Sequence, residues 1–368
     1  MKFLLLIISV GFIISVNSQN FITPTIITTL SSDLNENSGL INLNGEIWTH
    51  TDNGGKTELY LLDMSDGSII RTVDVKDANN EDWEDIAFDE TYVYIGDFGN
   101  NEGSRTNLKV YRIKRQDLAS SNEVEAKKIE FSYSDQTSFE PSYHNTNFDC
   151  EAMVSTGNKL FLFTKNWVDN QTNVYQLPNE PGEYTADYLF SFDVNCLISG
   201  AEWHPSLNNL YLIGYNQNGG SYTWVFRDFS GTDFFSGNSV KLIWTSLTQI
   251  EGICMADASG IYVSSEKFGG ELDPTLYYFN LSGFLNVEQE SHPSGITVTS
   301  DKHRILVQTN DNSILTGEIH VRDLYGKIVY KSYIREENYL EIPIKTSGVY
   351  MVLFKGENLK FSVKTVVF

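Results

Sequence analysis

A glutamate recurs through the middle of the chain at the head of a short apolar strand. A Gly or Asn turn follows it, and an aromatic residue on a second apolar strand comes 9 to 12 residues later: Glu36 with Trp48, Glu84 with Tyr94, Glu151 with Phe161, Glu202 with Tyr211 and Glu251 with Tyr262. Carboxylates gathered at one place repel unless a cation, bound protons or backbone N–H donors compensate. The cation that suits them is hard, calcium first, because it takes about six to eight oxygen ligands from carboxylates, carbonyls and water. Such an ion is either structural, or it polarises an ester or phosphoester and activates water. The competing reading makes each acid a local device that accepts backbone N–H bonds at its own blade junction and fixes ring geometry.

The ends of the second strands add Asp52, Asp97, Lys165, Asn216 and Glu266 near the same acids. Asp97 and Arg105 read either as a turn-capping carboxylate with its ion-pair partner or as ligand contacts. Lys165, Trp167 and His204 complete the candidate ligand-binding set, and a triad built on His204, which follows Trp203 at the channel mouth, stays open. No GxSxG elbow, P-loop or HExxH occurs. Cys150 and Cys254 sit beside repeated acids, whose charge raises a thiol pKa and opposes a nucleophilic role. Asp77 to Asp85 has the acids of a calcium loop but lacks its Gly at the sixth position and Glu at the twelfth.

The elements that must position these residues follow from the spacing. Successive acids lie 48, 67, 51 and 49 residues apart, the period of four-stranded propeller blades, with the long interval explained by an insertion between about Ser120 and Asn147. In blade one the strands are expected at Gly39–Leu43, Glu46–His50, Glu58–Asp63 and Ile69–Val75, joined by Asp52-Asn53-Gly54-Gly55 and Asp66-Gly67 turns. The fifth repeat has strands at Gly252–Met255, Gly260–Ser265 and Leu276–Asn280 and no fourth. The β-branched segment Ile22–Leu30 can supply it and close the ring. The expectation is an all-β protein with a five-bladed β-propeller, six blades if the insertion hides one, over residues 19–288. A small C-terminal immunoglobulin-like β-sandwich follows over 296–368.

Both ends read as addresses. Lys2, the apolar run Phe3–Val16 and the small residues of Val16-Asn17-Ser18 make a signal peptide, residues 1–18, too short to span a bilayer. The last part holds seven short alternating runs: Ile296–Val298, Ile305–Gln308, Gly317–Asp323, Lys327–Tyr333, Tyr339–Ile344, Val349–Lys355 and Phe361–Val367. Four of its segments carry a resemblance: Val321-Arg322-Asp323-Leu324-Tyr325-Gly326-Lys327, Ile328-Val329-Tyr330, Gly348-Val349-Tyr350-Met351-Val352 and Val363-Lys364-Thr365-Val366-Val367-Phe368. They resemble the C-terminal sorting domain of the type IX secretion system of Bacteroidetes, departing from it at Thr365, where a second basic residue is common. The resemblance implies the type IX machinery as a partner and a secreted or outer-membrane surface-attached protein.

In the middle, Asp82-Trp83-Glu84-Asp85-Ile86-Ala87, Tyr94-Ile95-Gly96-Asp97-Phe98-Gly99-Asn100-Asn101, Asp149-Cys150-Glu151-Ala152-Met153 and Leu160-Phe161-Leu162-Phe163-Thr164-Lys165-Asn166-Trp167 are similar to motifs of a group of secreted bacterial propellers. More loosely they resemble the esterase-like phytase and SdiA-regulated families. Those looser families imply six blades and an acidic, metal-compatible channel, whereas five units are countable here.

Composition narrows the partners. A net charge of −22 repels phosphate backbones, which excludes nucleic acid. Three cysteines cannot staple 368 residues, so packing must supply the stability. Two functions remain: an exported module binding an extracellular ligand, with Trp167, Trp203, Trp224, Tyr215 and Tyr222 as contact candidates, or a calcium-dependent hydrolase of esters or phosphoesters at the acidic mouth.

Overall fold

The computed structural model describes residues 20–52, 56–205, 207–257, 259–270, 272–281, 284, 296–301, 303–309, 314–323, 328–346, 348–356 and 360–367. The proposed signal peptide, the Leu324–Lys327 turn and the boundary segment 285–295 lie outside them. The chain divides into two compact units between Leu281 and Ser282.

The first unit opens with β1 (Asn20–Ile22) and β2 (Thr25–Thr29), then blade one, β3 (Asn37–Leu43), β4 (Glu46–Thr51), β5 (Glu58–Leu62) and β6 (Ile69–Lys76). Blade two has β7 (Trp83–Phe88), β8 (Tyr92–Asp97), β9 (Lys109–Lys114) and, after α1 (Arg115–Ser120) and β10 (Glu123–Glu125), β11 (Lys127–Tyr133). Blade three is β12 (Cys150–Thr156), β13 (Lys159–Thr164), β14 (Thr172–Pro178) and β15 (Gly182–Phe192). Blade four is β16 (Leu197–His204), β17 (Asn209–Tyr215), β18 (Gly220–Arg227) and β19 (Asn238–Leu247), and blade five has β20 (Ile250–Met255), β21 (Gly260–Ser265) and β22 (Thr275–Asn280). Each blade is an antiparallel meander.

The first strands pack in the cyclic order β3, β7, β12, β16, β20 and back to β3. This closed order makes a five-bladed propeller. Because each inner strand is wedged between two neighbours, it is buried on both faces, as the first six residues of β12 illustrate, while outer strands such as β11 alternate buried and exposed. Trp48, Trp83, Tyr94, Tyr111, Tyr175 and Tyr211 lie fully buried; an aromatic side chain of this kind contributes about 1.5–3 kcal/mol on burial.

Ring closure uses the N-terminal segment: β2 pairs antiparallel with β22 and supplies the missing fourth strand. The expected single strand over Ile22–Leu30 is split, however, and β1 runs parallel to β19 as a fifth strand of blade four. Pro24 stands at the break, where its missing N–H and fixed φ interrupt a ladder. One short segment therefore covers the outer edges of the last two blades.

The interval expected as an insertion, Ser120 to Asn147, holds β10, blade two's own fourth strand β11 and the strand-free segment 134–149, with α1 just ahead of it, and among the described residues it forms no sixth blade. β10 pairs parallel with β6 of blade one, and β11 pairs with both β9 and β15, fusing blades two and three at their rims into one eight-stranded sheet.

The second unit contains β23 (Ile296–Asp301), β24 (Arg304–Thr309), β25 (Leu315–Asp323), β26 (Ile328–Glu337), β27 (Tyr339–Pro343), β28 (Gly348–Gly356) and β29 (Lys360–Val367). They form a three-stranded sheet, β23-β24-β27, and a four-stranded sheet, β26-β25-β28-β29. Ile305, Val307, Ile319, Val321, Ile342 and Val352 share one core, as the inner faces of a sandwich do.

Candidate functional site

The site is built by one irregularity repeated five times. Each inner strand slips register against its neighbour near its start, and the extra residue is Gly39 in β3, Glu84 in β7, Glu151 in β12, Ser199 in β16 and Glu251 in β20. A β-bulge leaves its extra residue outside the ladder and re-aims the side chain. Glu84, Glu151 and Glu251 are thus structurally equivalent, as the sequence pattern expected.

Glu36 and Glu202 are not in that phase. Glu36 precedes β3, and Glu202 lies past the bulge, toward the hairpin end of β16. Glu202 accepts the backbone N–H of Met255 in the next blade, and burial pushes its carboxyl up to about 8. It ties a blade junction and stands apart from the other acids. The bulge residue of these two blades is Gly39 or Ser199, and the acid lies three positions before it (Glu36) or three after it (Glu202).

At the mouth the acids meet a single ammonium. Lys165, immediately after β13, places Nζ 3.2 Å from Glu151 Oε1. Its charge is felt by seven carboxyl groups: Asp52, Asp82, Glu84, Asp149, Glu151, Glu251 and Glu266. Burial is the first cause holding these groups above the carboxylate range, with mutual repulsion adding to it at Asp52, Asp82, Glu84 and Glu266. Asp82 is pushed up to about 6, Asp52 to about 8 and Glu266 to about 9. For Lys165 burial acts downward, but Glu151, Tyr215, Glu251 and Asp149 outweigh it and keep the ammonium charged.

Aromatic faces flank this cation. Nζ lies 5.1 Å from the ring centres of both Trp167 and Tyr215. Trp167 Nε1 donates to Asp149 Oδ2 at 2.8 Å, and its ring stacks at 3.5 Å on His144. Lys165 and Trp167 therefore belong to the cluster, as expected.

Asp97 and Arg105 form a support beside it. Asp97 is fully buried between Arg105 at 2.8 Å and Lys109 at 3.1 Å, and Arg105 also donates to the Gly99 carbonyl. Asp97 pairs opposite Trp83, one position before the place that Lys165 occupies in blade three, and its Oδ1 accepts the Asp82 N–H at 3.2 Å, so it braces the backbone at the mouth. Asn216 also differs from expectation, spending its side chain on Asn218, Gly220 and Tyr222 within its own turn. His204 sits at the β16–β17 hairpin, the opposite end of that strand from the bulge, and its Nδ1 accepts from Leu207. The structure brings no acid of the mouth to it. Trp203 packs on Phe229 and Phe234, and Trp224 stacks on Phe226.

Sequence reading missed Asp82, Asp149 and Asp85. The first two carried a legible signal, the repeated Asp-x-Glu of Asp82-Trp83-Glu84 and Asp149-Cys150-Glu151. Asp85 carried none. Its carboxylate accepts N–H bonds from Ile86, from Met153 of blade three and from Ala201 of blade four, so it ties three blades together. Burial holds it well above the carboxylate range against the pull of those donors.

A distinct subset lies where the ring closes. Glu36, Asp52 and Glu266 each offer an oxygen, all within 4.8 Å of one another. Their backbones are pinned: Asp52 N–H donates to Glu36 C=O at 3.0 Å, Glu266 N–H to Gln249 C=O at 3.1 Å, and Lys267 N–H to Asn35 C=O at 2.8 Å. Nearby thiols are inert, since burial pushes Cys150 and Cys254 well above the usual range.

Fold and site together define an all-β propeller whose blades gather buried carboxylates around one lysine, followed by a sandwich. No family model matches this chain, and no curated protein matches it in sequence. Among solved structures it is similar to the PQQ-bound aldose sugar dehydrogenase of Streptomyces coelicolor, at 11% identity over 69% of this chain and 97% of that one, TM-score 0.41. It is also similar to the extracellular domain of a hybrid two-component system of B. thetaiotaomicron, at 12% identity over 89% of this chain and 49% of that one, TM-score 0.32. A protein of Bacteroides uniformis described as a 6-phosphogluconolactonase matches at 12% identity over 86% and 88%, TM-score 0.34. At such identities a likeness concerns fold alone, and the architecture above rests on strand pairing. Among the described residues no helix is long and apolar enough to cross a membrane.

Proposed function

We propose that the chain is an exported binding module whose acidic mouth takes an extracellular ligand carrying positive charge. In this reading residues 1–18 direct export, the C-terminal sandwich engages the type IX secretion machinery, and the propeller is released or held at the outer-membrane surface. One observation carries the binding role: seven buried or half-buried carboxyl groups face a single ammonium. Carboxyl groups held protonated by burial and by one another give up those protons to a cation that approaches them, so a positively charged ligand supplies the compensation they lack.

A second reading keeps the same mouth for calcium-dependent hydrolysis of esters or phosphoesters. It is favoured by neighbouring carboxyls held at about 6 in Asp82 and about 8 in Asp52, which keep one group ionised and another protonated at neutral pH, the combination that acid–base hydrolysis requires.

The two readings separate in one set of assays on the purified mature chain. A polyamine and a lysine-rich peptide are titrated calorimetrically, and p-nitrophenyl esters and phosphoesters are offered with calcium or with EDTA. Binding without turnover supports the module. Calcium-dependent turnover that disappears in Glu84→Gln and Glu151→Gln replaces it by the hydrolase, and neither binding nor turnover refutes both. The export half is tested by removing 296–368 in a type IX-competent bacterium: the truncated chain should stay in the periplasm, and its normal appearance outside would overturn the sorting role.

A further inference from the structure

We propose that a hard divalent cation of calcium size binds between Glu36, Asp52 and Glu266, beside the buried Glu251 carboxylate, and locks blade five to blade one. The inference goes beyond the binding reading, because a resident ion can hold the ring whether or not any external ligand exists.

Geometry comes first. Two oxygens bound to one calcium ion at about 2.4 Å cannot stand more than about 4.8 Å apart, and the oxygens of Glu36, Asp52 and Glu266 meet that limit with one another. Their backbones are held by the three hydrogen bonds at the seam, so the chain has little further ordering to do on binding.

Unsatisfied oxygens point the same way. Glu251 is only 6% exposed, Gln249 occupies its Oε1 at 3.0 Å, and its Oε2 has no hydrogen-bond partner. Asp52 Oδ1 is likewise buried without a donor. Of the neighbouring charges, that of Glu251 is felt most strongly by both Asp52 and Glu266, which places its carboxylate against this subset. A buried carboxylate oxygen without a donor loses its full solvation, and a metal ion held by Glu36, Asp52 and Glu266 would compensate both Asp52 Oδ1 and the neighbouring Glu251 Oε2. Lys165 offsets these carboxyls only in part, because its ion pair is with Glu151 at 3.2 Å.

The location gives the ion a task. Glu36 and Asp52 belong to blade one, Glu251 and Glu266 to blade five, the two sheets that the chain must bring together last in sequence. Asn42 Nδ2 to the Met255 carbonyl and Lys267 N–H to the Asn35 carbonyl already cross this junction. A cation between Glu36, Asp52 and Glu266 converts their repulsion into a clamp.

The test uses the full mature chain, stripped with EDTA and dialysed, with calcium chloride alone as the probe. Calorimetry should give one ion per chain, and the melting temperature should rise by about 5 °C or more at a hundredfold excess over Kd. Glu266→Gln and Asp52→Asn should each weaken binding by at least about tenfold and lose the rise. Each should melt, free of metal, no lower than the wild type, since a repelling charge has gone; that separates lost binding from lost folding. Glu202→Gln, buried outside the subset, should keep both binding and rise. No calcium response in the wild type, or an undiminished response in both variants, overturns the clamp. A normal response in a chain that binds no polyamine or peptide leaves the clamp standing and removes only the binding reading.

Discussion

Replacing Lys165 by Met removes the one ammonium that, among the described residues, acts on all seven mouth carboxyls, and the cost is set by what those groups do next. If Glu151, 3.2 Å from Nζ, stays ionised, the folded chain holds an uncompensated buried charge, which costs about 3–5 kcal/mol. The alternative is to take up one more proton. A carboxyl that is ionised in the unfolded chain, with a pKa near 4.3, costs about 1.4 kcal/mol to protonate for each pH unit above that value, hence about 5 kcal/mol at pH 8 and about 1 kcal/mol at pH 5. Lys165→Met should therefore lose about 3–5 kcal/mol at pH 8 and only about 1 kcal/mol at pH 5. Urea unfolding followed by tryptophan fluorescence in EDTA at both pH values measures the difference. Equal losses at the two pH values, or a loss under about 1 kcal/mol at pH 8, the size of an exposed pair, would refute the picture of one cation inside a buried acid cluster.

The metal-free wild type should itself lose stability in alkali. Asp52 and Glu266 have folded pKa values of about 8 and about 9, above their unfolded values near 4, so their contribution is fully present below about pH 4 and declines until about pH 9. Thermal melts in EDTA from pH 5 to pH 9 should show the fall, and a flat or rising trend contradicts it. Gly99→Ala should cost about 1–3 kcal/mol, because a Cβ there would run into the buried Glu84 and Asp82 carboxyl groups and displace both; unfolding within 0.5 kcal/mol of wild type, the scale of a neutral surface change, would show that the mouth has room for a methyl group. Removing residues 19–29 uncovers β19 and β22, and the truncated chain should melt lower and associate through its open edges, as light scattering would detect; an unchanged monomer would argue against ring closure by the N-terminal segment.

Much of this architecture is legible in local pattern. Period-two runs with Gly and Asn turns placed the blade-one strands within two residues of Asn37–Leu43, Glu46–Thr51, Glu58–Leu62 and Ile69–Lys76. The unpaired β-branched segment before Glu36 marked the strand that closes blade five. Phase was harder. A bulge adds one residue to one strand without altering hydropathy, so Gly39 and Ser199 hide positions equivalent to Glu84, while Glu36 and Glu202 imitate them. The segment Ile22–Leu30 was expected to be one strand despite Pro24, and the choice of β19 as the second docking edge depends on residues more than two hundred positions away. Asp85 is the extreme case, since its donors Met153 and Ala201 are backbone groups of other blades and leave no side-chain pattern to read.

The central claim is that the blades turn their acids toward one mouth and that the seam between the last and first blades is shaped for a hard cation. Crystals of the mature chain grown with manganese chloride, a hard divalent ion with a usable anomalous signal, test it most directly. The account predicts one anomalous peak within coordination distance of Glu36, Asp52 and Glu266, with the Glu251 carboxylate turned toward it. A map with no peak at that seam, or with these carboxylates facing separate surfaces, would contradict it.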